Sequence, residues 1–385
     1  MIALLRPRKK PGVIDSQKSH GPDKDDEQYY LASQWELMAR KFRKHTLARV
    51  SIAVLSVLYF FAIFCEFLAP YDLTGYNSAY VFAPPQRIHF RGEEGFSLRP
   101  FVYELESSRD PNTFRRIYTE NTETRYYLKF LARGVPYEFW GLFETDVHLV
   151  GVEDGGVLFL LGTDRLGRDL YSRIIYGARI SLSIGLIGVL LSMILGIILG
   201  GISGYFGGLV DNLIQRIIEI LRSFPTIPLW MALAAALPPH MPPVRVYFGI
   251  TVILSLIGWT GVARTVRGKF MALREEDYVM AAKISGCKDG RIIRTHLVPG
   301  FMSHLIVSLT LAIPGMILSE TTLSFLGLGL RSPVTSWGVL LKEAQNIHSI
   351  ISHPWLMIPI LFVIVTVLAF NFLGDGLRDA ADPYK

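Results

Sequence analysis

Six long apolar runs, separated by polar stretches, dominate the pattern of the chain. A helix that crosses the hydrocarbon of a bilayer needs about 20 predominantly apolar residues, and these runs are close to or above that length. The predicted spans are 47–68, 180–203, 211–237, 246–262, 303–325 and 355–373. The pattern therefore predicts an all-α polytopic membrane protein with six transmembrane helices.

The region before the first span, 1–46, has two parts. Residues 1–33 are polar and charged with few apolar side chains, which predicts a disordered cytoplasmic tail. From 34 to 45, Trp35, Met38 and Phe42 fall on one helical face among basic residues, which favours an amphipathic helix in the membrane interface. A basic segment that merely precedes the span is the alternative.

The distribution of Lys and Arg sets the predicted orientation. The basic cluster before the first span keeps the N-terminus in the cytoplasm, and six spans return the C-terminus to the same side. Residues 69–160 then lie outside. Segments 100–106 and 125–133 have strand-like spacing, and 155–164 adds a short apolar run after a glycine turn. The sequence thus predicts a β-rich extracytoplasmic insertion, with 161–385 as the remaining transmembrane domain.

A short basic loop, 264–299, follows the fourth span and should face the cytoplasm. Within it, Asp277 can cap a helix, and Gly286 permits a chain reversal at positive φ. Pro299 marks the start of the fifth span. We call 277–299 the docking loop, because a short helix, a sharp turn and a second helix would form a knob beneath the membrane. An ordinary connecting loop is the alternative.

Three glycines in the second span, Gly196, Gly200 and Gly204, recur at every fourth residue. Small residues on one face let helices approach closely in lipid, where packing replaces the hydrophobic drive. This face is therefore a predicted helix–helix interface. The spacing leaves open whether the partner helix belongs to this chain or to another subunit.

Charged residues also occur inside the apolar runs. Arg216 and Glu219 are three residues apart and can pair along a helix face, and Glu320 lies in the fifth span. Intramembrane charges usually face a bundle interior or an aqueous cavity, which makes these three residues candidates for the translocation path. For Glu320 the alternative is a bond to a neighbouring helix near the outer interface. Pro225 and Pro228 predict a bend in the third span.

Composition narrows the class of protein. Half of the 385 residues are hydrophobic, 19% are charged and the net charge is +6, as in membrane proteins with basic cytoplasmic loops. A nucleic-acid partner is not required. Cys65 and Cys287 are not expected to meet, and the nine histidines lack ligand spacing, so we predict neither a disulfide nor a metal site. No P-loop or catalytic triad is found, and the chain is predicted not to be an enzyme.

Five segments together resemble one family of transporters. They are DYVMAAKISGCKDGRIIRTHLVP (277–299), GTDRLGRD (162–169), GYFGGLVDNLIQR (204–216), ETTLSFLGLGLRSPVTSWG (320–338) and NFLGDGLRDAADP (371–383). The first resembles the EAA loop that seats in the ATPase of bacterial ABC importers, with Met280 where that motif usually has Glu. The chain resembles the C-type permease subunit of the dipeptide/oligopeptide/nickel ABC importers.

This resemblance implies the type I ABC importer permease fold and a set of ATPase-coupling residues. Carried over by position, these are Asp277, Tyr278, Ala281, Ala282, Gly286, His296 and Pro299. It also implies a homologous B-type permease subunit, two P-loop ATPase subunits that carry ATP and Mg, and an extracytoplasmic solute-binding protein. The chain itself would bind no cofactor and would lie in the bacterial cytoplasmic (inner) membrane.

The resemblance does not decide the cargo. A short peptide is favoured, and an oligosaccharide or nickel importer of the same architecture is the alternative. An ion-coupled secondary transporter that uses Arg216, Glu219 and Glu320 is more remote, because such carriers usually show an internal repeat, which the sequence lacks. A membrane-anchored sensor would need fewer than six spans.

Overall fold

The computed structural model describes residues 34–92, 95–111, 116–238 and 240–381, so the predicted tail 1–33 lies outside the described residues. The described chain is mostly helical. Its α-helices are α1 Gln34–Lys44, α2 Thr46–Ile63, α3 Cys65–Leu68, α4 Leu170–Phe206, α5 Gly208–Ser223, α6 Thr226–Ala235, α7 Pro243–Leu273, α8 Asp277–Ile284, α9 Asp289–Ile292, α10 Val298–Gly300, α11 Met302–Phe325, α12 Trp337–Glu343, α13 Ile347–Ser352 and α14 Ile358–Ala381.

Among the described residues, five helical stretches are individually long and apolar enough to cross a membrane. A sixth crossing is obtained only if α5 and α6 count as one span, and these two helices meet at a bend of 88°. The break falls at Phe224, which is extended because a residue before proline is excluded from the helical region. Pro225 precedes α6, whereas Pro228 lies in its first turn, where a missing N–H costs nothing. The predicted bend is thus present, at the first proline alone.

Two helices extend well beyond their predicted spans. Asp169 caps α4 by accepting a hydrogen bond from the backbone N–H of Ser172 at 2.7 Å, so this helix begins ten residues before the predicted start at Ile180. With 37 residues, α4 is about 55 Å long and projects from the roughly 30 Å hydrocarbon. Similarly, α7 continues to Leu273 beyond the predicted end at Val262. Hydropathy marks only the part of a helix that lipid surrounds.

The predicted β-rich insertion is a four-stranded antiparallel sheet. Its strands, in the order β1-β2-β3-β4, are β1 His89–Gly92, β2 Gly95–Arg109, β3 Arg116–Phe139 and β4 Phe143–Val152. The long strand β3 pairs with β2 through its first half and with β4 through its second half.

The short apolar run at 155–164 does not form a strand of the sheet. This segment is irregular, and its apolar side chains Leu158 and Phe159 are buried. Its run of apolar residues reflects burial under the sheet rather than pairing within it. The backbone N–H of Gln86 donates to the carbonyl oxygen of Phe159 at 2.9 Å, and the N–H of Phe159 donates to Oε1 of Gln86 at 2.7 Å, which brings the two ends of the insertion together.

The three spaced glycines of α4 face α7 of the same chain. A methyl group on Gly196 would lie 2.5 Å from Cβ of Val262, and one on Gly204 would lie 2.6 Å from the carbonyl oxygen of Arg267. At Gly200 it would overlap the carbonyl oxygen of Ala263. The two helices therefore approach closely enough that only hydrogen atoms fit between their backbones along this line.

We expect Gly200→Ala to lower the free energy of unfolding by about 1–3 kcal/mol, because the added methyl group must push two backbones apart. The thermal unfolding midpoint of the purified chain in detergent checks this. Gly261→Ala on α7 is the matched control, since a methyl group there meets open space among the described residues. A Gly200→Ala variant as stable as Gly261→Ala would contradict the close contact.

Candidate functional site

The docking loop packs against the membrane helices through one apolar face. Val279 of α8, Ile292 of α9 and Leu297 are fully buried in a cluster that includes Phe270 of α7 and Phe301. Between α9 and α10 the chain forms one turn of π-helix, Ile293–Leu297. Val279 and Ile292 are the buried residues of α8 and α9, and with Leu297 they form the inner face of the loop.

The turn of the docking loop is a Schellman motif. Gly286 has a φ of +78° and donates its backbone N–H to the carbonyl of Lys283 at 3.0 Å. The N–H of Cys287 reaches back to the carbonyl of Ala282 at 3.1 Å. These two bonds satisfy carbonyls at the end of α8, and Ala282 and Cys287 both pack on the buried cluster. The reversal at Gly286 is therefore built into the sequence and is anchored by apolar contact.

The structure places the other proposed coupling residues around this turn. Tyr278 and His296 come together, with their ring centroids 6.3 Å apart, and Pro299 lies in α10. Asp277 is the first residue of α8 rather than its cap, because extended Glu276 occupies the N-cap position. The expectation that Asp277 caps the helix is wrong by one residue.

The outer face of α8 is exposed and mostly apolar. Tyr278, Met280, Ala281 and Ile284 are all accessible, and Ile284 is 84% exposed. Exposed apolar patches on a rigid element typically mark a surface that another protein covers. Met280 contributes a flexible apolar side chain at the position where a carboxylate was expected.

Polar contacts join the docking loop to the end of α4. The Tyr205 hydroxyl donates to Oδ1 of Asp289 at 2.6 Å, and the Lys283 ammonium lies 5.2 Å from the Tyr205 ring. Arg274 donates to the carbonyl oxygens of Gly204 and Tyr205 at 3.3 and 3.4 Å. The loop is thus fastened to the last turn of α4 as well as to α7.

Sequence reasoning did not find the ion pair that ties α5 to α7. Arg267 donates two hydrogen bonds to Asp211, both of 2.6 Å, and Ser203 donates a third at 2.5 Å. The two charged residues are 56 positions apart. The only signal in the sequence was a carboxylate in the first turn of α5, and its position does not indicate which residue it would pair with.

The three charged candidates for the translocation path lie in different surroundings. Arg216 and Glu219 form the predicted pair at 2.8 Å on an exposed face of α5. Glu320 is fully buried in α11 and accepts hydrogen bonds from three serines. The hydroxyl oxygens of Ser324 and Ser336 each lie 2.7 Å from Oε1 of Glu320, and the hydroxyl oxygen of Ser181 lies 3.4 Å from Oε2. The structure thus places Glu320 within the chain's own helix packing.

A second charged cluster lies at the opposite end of α4. Arg168 contacts Asp164 at 2.6 Å and Glu343 of α12 at 2.9 Å. Arg173 pairs with the same two carboxylates, at 3.0 Å from Glu343. Asp164 is four residues from Arg168 and nine from Arg173, whereas Glu343 is 170 residues from Arg173, where no local pattern points to it.

Comparison with known proteins identifies two families. Residues 192–384 match the family described as binding-protein-dependent transport system inner membrane component. Residues 33–85 match the family described as N-terminal TM domain of oligopeptide transport permease C. The sheet, 89–152, lies between the two matched regions.

Individual relatives agree with these matches. The dipeptide transport system permease protein DppC of Bacillus subtilis (strain 168) is 43% identical over 224 residues, which is 58% of this chain and 68% of the relative. The oligopeptide transport system permease protein OppC of Escherichia coli (strain K12) is 41% identical over 228 residues, 58% of this chain and 71% of the relative. A solved structure of the inward-facing MetNI methionine ABC transporter is similar at 18% identity and a TM-score of 0.42, over 55% of this chain and 97% of that one.

We expect Arg173→Met to lower the free energy of unfolding by about 3–5 kcal/mol, because two buried carboxylates would then share one guanidinium. Arg165→Met is the matched control: Arg165 is exposed in the same segment, and its replacement should change stability by about 0.5 kcal/mol or less. Thermal unfolding of both variants in detergent provides the measurement. Equal midpoints would show that the cluster contributes nothing to stability.

Proposed function

Because the chain belongs to the family of binding-protein-dependent transport system inner membrane components, we propose that it forms half of the translocation pore of an ATP-driven importer for short peptides. The cargo is proposed from two relatives, whose names specify dipeptide and oligopeptide transport. An extracytoplasmic solute-binding protein would deliver the peptide, a homologous B-type permease would form the other half of the pore, and two separate ATPase subunits would hold ATP and Mg.

The observation that carries the coupling proposal is the construction of the docking loop. An exposed apolar face on α8 sits on a fully buried apolar base, and polar bonds tie the loop to α4. A surface that transmits a movement must be held rigidly, because a flexible loop would move with the ATPase without moving the membrane helices. We therefore propose that Asp277, Tyr278, Ala281, Ala282, Gly286, His296 and Pro299 form the contact with an ATPase subunit.

The topology proposed for this importer has six crossings, with α5 and α6 counted as one broken span. The basic residues of α1 and of the docking loop then lie on the cytoplasmic side of the inner membrane with both termini. The sheet lies on the opposite side, where the binding protein would arrive. Long external segments translocate largely regardless of their charge, so the basic residues of the sheet agree with this orientation.

In the proposed mechanism, ATP binding closes the two ATPases and moves the docking loops with them. The displacement reaches α7 through the apolar packing of the loop, and it reaches α4 through the bond to Tyr205. These two helices then move together because their backbones are in close contact. The permease pair thereby opens outward to receive peptide, and hydrolysis returns it. The ATPase must bind the two loop arrangements with different affinity for this switch to work.

Purification of the tagged chain from its native membrane, with mass spectrometry of the proteins that accompany it, tests the assignment. We expect a second permease and P-loop ATPases, and peptide uptake by the reconstituted complex only when ATP is supplied. A chain that purifies alone and moves solute in ATP-free liposomes would instead support the ion-coupled transporter. ATP-dependent uptake of an oligosaccharide or nickel, without uptake of peptide, would support the importer assignment but show that the cargo is different.

We expect Gly286→Pro to abolish uptake while the complex still inserts in the membrane. Proline holds φ near −65°, whereas Gly286 has +78°, and it removes the N–H that bonds to Lys283. Gly286→Ala should give a partial loss, because a left-handed conformation costs an ordinary residue about 1–2 kcal/mol.

Gly290→Ala is the control in the same loop, because Gly290 lies within α9 and a methyl group there meets open space among the described residues. Its uptake should match that of the parent protein. Membrane-inserted Gly286→Pro that transports normally would remove the coupling role of this turn.

A further inference from the structure

The turn between β3 and β4 lies at the end of a membrane span. We call residues 139–143 the hairpin tip. The indole N–H of Trp140 donates to the carbonyl oxygen of Ile63, the last residue of α2, at 2.9 Å. From Thr46 to Ile63, α2 is about 27 Å long, close to the roughly 30 Å thickness of the hydrocarbon. Because α2 starts next to the basic end of α1, Ile63 lies near the opposite membrane boundary.

The hairpin tip exposes large apolar side chains at this level. Leu142 is 79% exposed, Phe143 is 58% exposed and Trp140 is 52% exposed. Such exposure is costly in water, by about 25 cal/mol for each Å² of apolar surface, but favourable at the boundary of a bilayer. Tryptophan in particular is enriched at membrane interfaces, where its ring lies among headgroups and acyl chains.

The tip continues an apolar surface that already belongs to the membrane span. Phe60 of α2 is exposed on that helix, and its ring lies 4.8 Å from that of Phe64. The Phe64 ring lies 5.9 Å from Phe139, which in turn lies 5.5 Å from Phe143. One row of aromatic rings therefore runs from the lipid-facing side of α2 to the hairpin tip.

The tip is held rigidly in this position. Arg179 of α4 lies 4.2 Å from the centroid of the Trp140 ring, and it also binds Glu66 at 2.6 Å and the carbonyl oxygen of Ala62 at 2.8 Å. Trp140 itself has a φ of +53°, next to Gly141 at +68°. A hairpin turn with two positive φ values ordinarily has Asn or Gly at its first central position, so the bulky ring is present at a conformational cost.

We infer that the hairpin tip inserts into the membrane interface on the side of the sheet, with Trp140, Leu142 and Phe143 among the upper acyl chains. The flanking pair Glu138 and Glu144, opposite each other on β3 and β4 and both exposed, then lies above the acyl chains in water or among headgroups. Insertion is therefore driven by apolar area rather than by attraction to anionic lipid. The lipid contact and the span together hold the sheet at a fixed height and angle above the membrane helices.

The experiment places an environment-sensitive fluorophore on Leu142→Cys in a chain that also carries Cys287→Ser, with buried Cys65 retained. The complex is reconstituted in nanodiscs of zwitterionic lipid, with and without lipid that carries a nitroxide high on its acyl chain. We expect a blue-shifted emission that the nitroxide lipid quenches and aqueous iodide does not. Raising the salt concentration or adding anionic lipid should leave the quenching unchanged.

Leu98→Cys in the same background is the matched control. Leu98 is an equally large apolar residue of the same sheet, 89% exposed on β2, away from the hairpin tip. Its label should be quenched several-fold more by iodide than the label at position 142, and not by the nitroxide lipid. Iodide quenching at position 142 equal to that at 98 overturns the inference, and so does shielding from both quenchers, which would show that a protein partner covers the tip.

Discussion

The close contact between α4 and α7 is the constraint on which the other features of the membrane region depend. Glycine at 196, 200 and 204 removes the side-chain atoms of α4 from the contact line, so its backbone lies directly against α7. Both helices project past the hydrocarbon. The docking loop is attached to one end of this pair, and the buried charges of 164–173 lie at the other end. Because sliding of one helix along the other would overlap backbone atoms, we expect α4 and α7 to move as one unit.

Ion pairs fix how the remaining helices attach to this pair. Asp211 and Arg267 join α5 to α7, Glu66 and Arg179 join α3 to α4, and the Arg173 cluster joins α12 to α4. Desolvation makes buried ion pairs weak contributors to net stability, but each charge has few acceptable partners. Apolar contacts between membrane helices differ little in energy from one arrangement to another. Such ion pairs therefore favour one arrangement of the helices over others. Glu320 with its three serines has the same effect between α4, α11 and α12.

The sheet is attached at both of its ends. Arg116 and Tyr118 near the start of β3 bond to the carbonyl oxygens of residues 78–81, while the end of β3 reaches the last turn of α2. The long strand β3 pairs with β2 through its first half and with β4 through its second half, and each pairing contains one register shift. The sheet lies between the regions that match the two families. These contacts give the sheet a defined position relative to the spans.

From the amino-acid sequence alone we could predict the membrane class, the positions of the apolar spans, the presence of a β-rich insertion and the turn at Gly286. Each of these follows from local physics: the length of an apolar run, the alternation of side chains and the freedom of glycine at positive φ. Which distant residues these elements contact is set by the tertiary fold. The glycines of α4 could have faced any helix, and nothing near Asp211 in the sequence indicates that Arg267 is its partner. The apolar run 155–164 could have paired as a strand but is buried instead. Such choices depend on residues tens to hundreds of positions apart, and no local pattern encodes which distant surface will be complementary.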